Sequence, residues 1–268
     1  MNRRTAALLA LGATLTLGAT CQKRTWEMGV ATGYDPQVSP QVYFNEVIAH
    51  GDRLLGLHTT IDQLEADLMA LSVLPIDPPL RPVVVTAFQE PLTAEALGAY
   101  LVKAGTLAEQ WHPPFWCVGN EVDQLDLGDQ IRHVLAVLNP HTTSCVVLQY
   151  ERMKQQGLKG AVPAEAEAVA FTTYPSAFGY LTADSVPVYD TSVAGGRPVL
   201  FTEIGWHGPD QKRYFERLPS LLPSSTRLAM LFSMYDRADA EAPFNQMGII
   251  GRPADAVWKA AVALPFQP

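Results

Sequence analysis

Eight short apolar, β-branched runs recur along this chain, each followed by a stretch of helical character. They occupy residues 26–34, 53–60, 82–88, 115–121, 144–149, 168–174, 198–204 and 228–235. Runs such as Val83-Val-Val85 and Val146-Val-Leu148 are apolar at every position rather than at alternate ones. That pattern suits strands covered on both faces, as in a parallel sheet. Between them, Ile61, Leu64, Leu68 and Leu71 share one helical face, with Asp62, Glu65 and Asp67 turned away. Residues 93–111 form the clearest helix, with Thr93 as its cap. The later helices read as weaker, because Pro163, Pro187 and Pro219 interrupt them. The average strand spacing matches a βαβ unit of roughly 30 residues. An open doubly wound sheet would want a Gly-rich phosphate loop after its first strand, and Thr32-Gly-Tyr-Asp-Pro36 is not one. The expected fold is therefore α/β, a single (β/α)8 (TIM) barrel.

The length of 268 residues fits one such barrel, for which ~250 is typical. A formal net charge of -8 argues against a nucleic-acid partner, which would want a basic face. Asn2-Arg3-Arg4 followed by the small, apolar stretch 5–19 reads as a secretory signal. Leu17-Gly-Ala-Thr-Cys21 resembles the lipobox of bacterial lipoproteins, which implies lipidation at Cys21. The chain is accordingly divided into a signal segment at 1–21 and one catalytic barrel at 22–268. The protein is expected to be exported: periplasmic, extracellular or held at a membrane by a lipid on Cys21. No other membrane contact is expected. Cys117 and Cys145 fall on neighbouring strands; the plainer reading is two small buried thiols, with a disulfide open to an exported protein.

Two runs end in a carboxylate. Phe115-Trp-Cys-Val-Gly-Asn-Glu-Val122 delivers Glu121 after the fourth strand, and Arg197-Pro-Val-Leu-Phe-Thr-Glu-Ile-Gly-Trp206 delivers Glu203 on the seventh. A parallel α/β barrel keeps its chemistry at the C-terminal ends of its strands. Cleaving a glycosidic bond needs two carboxyl groups, one to protonate the departing oxygen and one on the far side of the sugar. Either glutamate alone could be a structural hydrogen-bond acceptor; the pair points to this chemistry.

Gly119-Asn-Glu121 and Thr202-Glu-Ile-Gly-Trp206 resemble the large clan of retaining (β/α)8 glycosidases, with the strongest likeness to the endo-β-1,4-galactanase (arabinogalactanase) and β-1,3-glucanase families. Thr173-Tyr-Pro-Ser-Ala-Phe178 is similar to that clan's segment after strand six. Phe232-Ser-Met-Tyr-Asp236 is similar to its strand-eight tail. The resemblance implies Glu121 as acid/base and Glu203 as nucleophile, with the raised pKa on Glu121. It implies Asn120, Tyr174, Trp206, Tyr235 and Asp236 as substrate-binding residues. Trp206 would be a stacking platform, and Tyr174 would touch the nucleophile or the sugar. Many clan members place an arginine near the end of strand two; His58 stands there as a substitute donor. Phe232 and Tyr235 stand where the clan often carries a tryptophan.

His50, His58, His112, His133, His141 and His207 do not pair at metal-ligand spacing with cysteines or carboxylates. No Gly-x-Ser-x-Gly elbow occurs. No metal or cofactor is expected, and the partner is a carbohydrate bound by a monomer. The resulting expectation is a retaining hydrolase of a β-linked oligo- or polysaccharide. The rival readings are a carbohydrate-binding barrel without turnover, and a transglycosylase using the same two carboxylates.

Overall fold

β1 (Glu27–Thr32), β2 (Leu54–Thr59), β3 (Arg81–Thr86), β4 (Phe115–Val118), β5 (Thr143–Gln149), β6 (Ala168–Thr173), β7 (Val199–Ile204) and β8 (Thr226–Ser233) form one parallel ladder. β1 pairs with β8, closing the barrel. This computed structural model describes residues 23–32, 39–86, 91–122, 128–237 and 240–267. The signal segment and Cys21 lie outside the described residues.

The helices pack around this cylinder: α1 (Pro40–His50), α2 (Ile61–Ser72), α3 (Ala94–Trp111), α4 (Gly128–Leu138), α5 (Tyr150–Gln156), α6 (Gln211–Leu221) and α7 (Pro253–Val262). Ser39, Thr60 and Thr93 cap the first three, each accepting from a backbone N–H in the first turn. The β6–β7 crossover carries three 3-10 turns, at Pro175–Phe178, Ala183–Ser185 and Ser192–Ala194. Pro219 does not stop its helix as expected. It sits near the end of α6, where it costs one backbone bond while Leu218 and Leu221 stay buried.

Alternation along each strand divides the core in two. Leu54, Val83, Val147, Leu200 and Met230 fill the barrel interior, which is packed rather than open, as such barrels require. Leu64, Leu107, Leu135, Phe201 and Trp258 belong to the larger shell between strands and helices. The plainer reading of Cys117 and Cys145 is corrected. They are register partners on β4 and β5, both turned into the interior, and they form a disulfide with Cα atoms 4.5 Å apart. Parallel neighbours at that spacing meet the distance a disulfide needs.

Candidate active site

Glu121 lies just past the end of β4. Gly119, at φ 74°, turns the chain out of the strand, and Glu121 itself sits at φ 57°. A left-handed backbone is uncommon for a glutamate. It places Glu121 outside the ladder, so other groups must hold its side chain. Arg152 on α5 donates from Nη2 to Oε2 at 3.1 Å, and Thr172 on β6 donates from Oγ1 to Oε1 at 2.8 Å.

Glu203 reaches the same mouth through a β-bulge. Phe171 on β6 pairs with Phe201, yet the next residue, Thr172, pairs with Glu203, so β7 carries one extra residue, Thr202. The same excess appears against β8, where Phe201 pairs with Ala229 and Ile204 with Leu231. Phe201 faces the outer shell. Strict alternation would send Glu203, two residues on, to that same face. The bulge reverses the phase. Glu203 then shares a face with Thr172, and Ile204 returns to the outer shell.

Glu203 is 5 % exposed. Burial, reinforced by the charge of Glu121 and opposed by Arg237, pushes its pKa up to about 8. The raised pKa, expected on Glu121, is found on Glu203. Glu203 is the more enclosed carboxyl, while Glu121 has Arg152 beside it and keeps more contact with solvent. His58, at the end of β2, brings Nδ1 to 3.1 Å from Glu203 Oε1. The ring still touches water, yet protein surrounds it deep in the mouth. That desolvation, with the charge of Arg237, lowers its pKa to about 4, so the contact is one with a neutral imidazole near neutral pH.

The remaining expected residues divide. Asn120 precedes Glu121, and its Oδ1 is buried without a hydrogen-bond partner. Tyr174 follows β6 at 3 % exposure, with Phe232 and Phe244 edge-on to it at 5.1 and 5.0 Å between ring centroids. It supports the mouth rather than presenting a stacking face. Gly205 must be glycine here, since a Cβ would come within 2.9 Å of the Tyr174 ring and 2.7 Å of Met247 Sδ.

Trp206 is corrected. It is 1 % exposed, lies in the outer shell and stacks on Tyr214 at 4.9 Å, so it offers no platform to a sugar. Its position three residues after Glu203 returns it to the outward phase. Asp236 is corrected too: its carboxylate accepts from Arg252 Nη2 at 2.6 Å and from Gly248 N at 3.1 Å, tying the chain after β8 to the turn before α7. Tyr235 is half-buried against the outer shell. Phe232, not Tyr235, is the aromatic of this tail that joins Tyr174.

Sequence reasoning missed Arg152, Thr172 and Arg237. Arg152 follows β5 in Gln149-Tyr-Glu-Arg152, a polar cluster at the catalytic end of a strand, and that position was a usable signal. Thr172 gave none, since a threonine suits any strand. Arg237 places its guanidinium 5.9 Å from the Phe232 ring centroid.

No protein-family model matches the chain, and no curated protein matches it by sequence. Solved structures do match in fold. An exo-β-1,4-mannosidase from Opitutaceae bacterium strain TAV5 superposes with a TM-score of 0.61 at 14 % identity, covering 92 % of this chain and 62 % of its own. The chain thus spans less than two thirds of that mannosidase. An intracellular xylanase from Thermoanaerobacterium saccharolyticum gives a TM-score of 0.54 at 11 % identity, over 87 % of this chain and 95 % of the xylanase. A fungal β-1,4-galactanase gives 0.54 at 9 % identity, over 90 % and 99 %. At these identities the likeness establishes the (β/α)8 fold.

Proposed function

We propose that this protein is a glycosidase that cleaves a β-linked oligo- or polysaccharide by retaining double displacement, with Glu121 as acid/base and Glu203 as nucleophile. One observation carries the reading. Two glutamates meet at the C-terminal ends of β4 and β7 around Thr172, which pairs with one and bonds the other, and burial, reinforced by the charge of Glu121, raises the pKa of Glu203. Carboxyl groups that resist joint ionisation share a proton, as acid/base chemistry requires. In the free protein, burial favours the proton on Glu203. Attack on the anomeric carbon needs Glu203 ionised, so substrate entry moves the proton to Glu121. Sugar hydroxyls donating to Glu203 favour its ionised form. Asn120 offers a buried, unpartnered acceptor to a sugar hydroxyl beside the reacting carbon, and His58 orients Glu203. The β-1,4-mannosidase, xylanase and β-1,4-galactanase of the same fold favour a β-linked substrate.

We further propose that the protein is exported, with a lipid on Cys21 as its anchor. The charged, apolar leader supports export. The Cys117–Cys145 disulfide supports it too, since such bonds persist in oxidising compartments.

Azide rescue tests the assignment. Glu203→Gly should lose turnover of activated aryl β-glycosides of mannose, xylose, galactose and glucose. Added azide should restore it and yield the α-glycosyl azide. A β-glycosyl azide would exchange the two roles. Binding of oligosaccharide by wild-type protein that cleaves none of the panel would replace the enzyme with a binding barrel.

A further inference from the structure

Glu151, in the first turn of α5, is 4 % exposed and takes no part in the chemistry above. Its carboxyl accepts from Gln149 Nε2 at 2.6 Å, from Thr173 Oγ1 at 2.6 Å and from the backbone N–H of Tyr174 at 3.3 Å. The Thr173 hydroxyl also lies 3.1 Å from Tyr189 Oη, which lies 2.6 Å from Tyr214 Oη. Each hydroxyl has one proton. With Thr173 donating to Glu151, Tyr189 donates to Thr173 and Tyr214 to Tyr189, so the whole chain points at Glu151. Tyr189 and Tyr214 sit in the apolar shell outside the barrel, where burying a carboxyl group costs several kcal/mol unless partners offset it.

The position of Glu151 explains the arrangement. Glu121 is held by the side chains of Arg152 and Thr172, and each is one residue along the chain from Glu151 or from a residue that Glu151 bonds. Arg152 is its sequence neighbour. Thr172 is followed by Thr173 and Tyr174, the two residues Glu151 grips. Because Glu121 lies outside the ladder at positive φ, its carboxyl is placed by these two hydrogen bonds rather than by strand pairing. We propose that Glu151 is a positioning residue for Glu121, fixing Arg152 and the segment 172–174 so that both donors stay on the Glu121 carboxyl. The catalytic part of this inference rests on the reading of Glu121 as the acid; the positional part does not.

The titratable groups that act on Glu151 are Tyr150 on its own helix, Glu121 beyond β4, Tyr189 before β7 and Tyr214 on α6. Burial raises the Glu151 pKa to about 7 against the Thr173 and Gln149 hydrogen bonds, with the Glu121 charge adding to the rise. Its charge therefore changes near neutrality.

The test uses Glu151→Gln in the full chain, with two readouts. In protein labelled with 13C at glutamate side-chain carboxyls, the Glu121 resonance is identified by its loss in Glu121→Gln. It should move in Glu151→Gln, while that of Glu216, an exposed residue on α6, stays in place. On a poor leaving group kcat should fall about 10–100-fold with KM within about twofold, the size expected of a misplaced catalytic group. Glu151→Asp should recover part of the loss. Thr173→Val, which removes one donor at constant shape, should move the same resonance by less, and it stands in if Glu151→Gln fails to fold. An unmoved Glu121 resonance in a folded variant overturns the inference whatever the activity. A resonance that moves in Glu151→Gln but not in the charge-neutral Thr173→Val reports only the lost charge of Glu151 and also overturns the inference; one that moves in both, in a protein that cleaves no glycoside, upholds the positioning and rejects the glycosidase reading.

Discussion

Glu203 and Thr172 face each other across the β6–β7 ladder. The Thr172 hydroxyl donates to Glu121 at 2.8 Å, so one register position brings both carboxyl groups to a common neighbour. The extra residue Thr202 makes this possible, because without it Glu203 would face the helices. Thr172→Val should leave the fold intact and remove one of the hydrogen bonds on Glu121. A hydrogen bond to a charged group contributes about 1.5–3 kcal/mol, so kcat/KM should fall roughly 10–100-fold. Steady-state kinetics on aryl glycosides checks this.

The acid role proposed for Glu121 has its own signature. Glu121→Ala should slow substrates with poor leaving groups far more than activated phenols, which need little protonation. A plot of log kcat/KM against leaving-group pKa should steepen in the variant. Equal loss across the series would remove Glu121 from that role.

Activity should follow a bell-shaped pH profile whose basic limb falls near pH 8, where the proton shared by the two carboxyls is lost. The limb belongs to the pair rather than to Glu203 alone. A kcat/KM profile flat to pH 9.5 would contradict it.

Stability should run the other way from an ordinary acidic protein. The carboxyl pKa values of Glu203 and Glu151 are raised in the fold from 4.5 to about 8 and about 7. The folded chain keeps protons that the unfolded chain has released. Their contribution is therefore full below about pH 4 and is lost as pH rises through 7 to 8. Glu203→Gln, which cannot ionise, should be more stable than wild type at pH 9 by on the order of 5 kcal/mol, with the gap closing near pH 4. Denaturant melts at the two pH values measure it.

The Cys117–Cys145 bond closes a loop with a sequence separation of 28 residues, and constraining such a loop in the unfolded chain is worth about 3 kcal/mol. Reduction, or Cys117→Ala with Cys145→Ala, should lower the denaturation midpoint accordingly. Trp206→Ala should cost roughly 3–5 kcal/mol, as expected for a buried aromatic. Trp206→Phe should leave KM within about twofold, since the side chain does not reach the mouth.

The eight strands were legible because both-sided burial writes continuous apolar runs, and each observed strand overlaps its expected span. The carboxylates were legible because a glutamate ending such a run is out of place unless something uses it. The direction of the side chains after those strands was not. Trp206 follows Glu203 in sequence, yet a bulge and a return to alternation set one inside the mouth and the other in the shell. Asp236 looked available until Arg252, in the turn before α7, was placed beside it. Local pattern alone thus determined the number and order of strands, their parallel closure and the two glutamates at their ends. Only tertiary structure decided the phase of β7, the Cys117–Cys145 pairing, the grip of Arg152 and Thr172 on Glu121, and which of the two carboxyls is the more enclosed. Those outcomes depend on register between strands and on burial by distant segments, and neither is written in the spacing of residues along one chain.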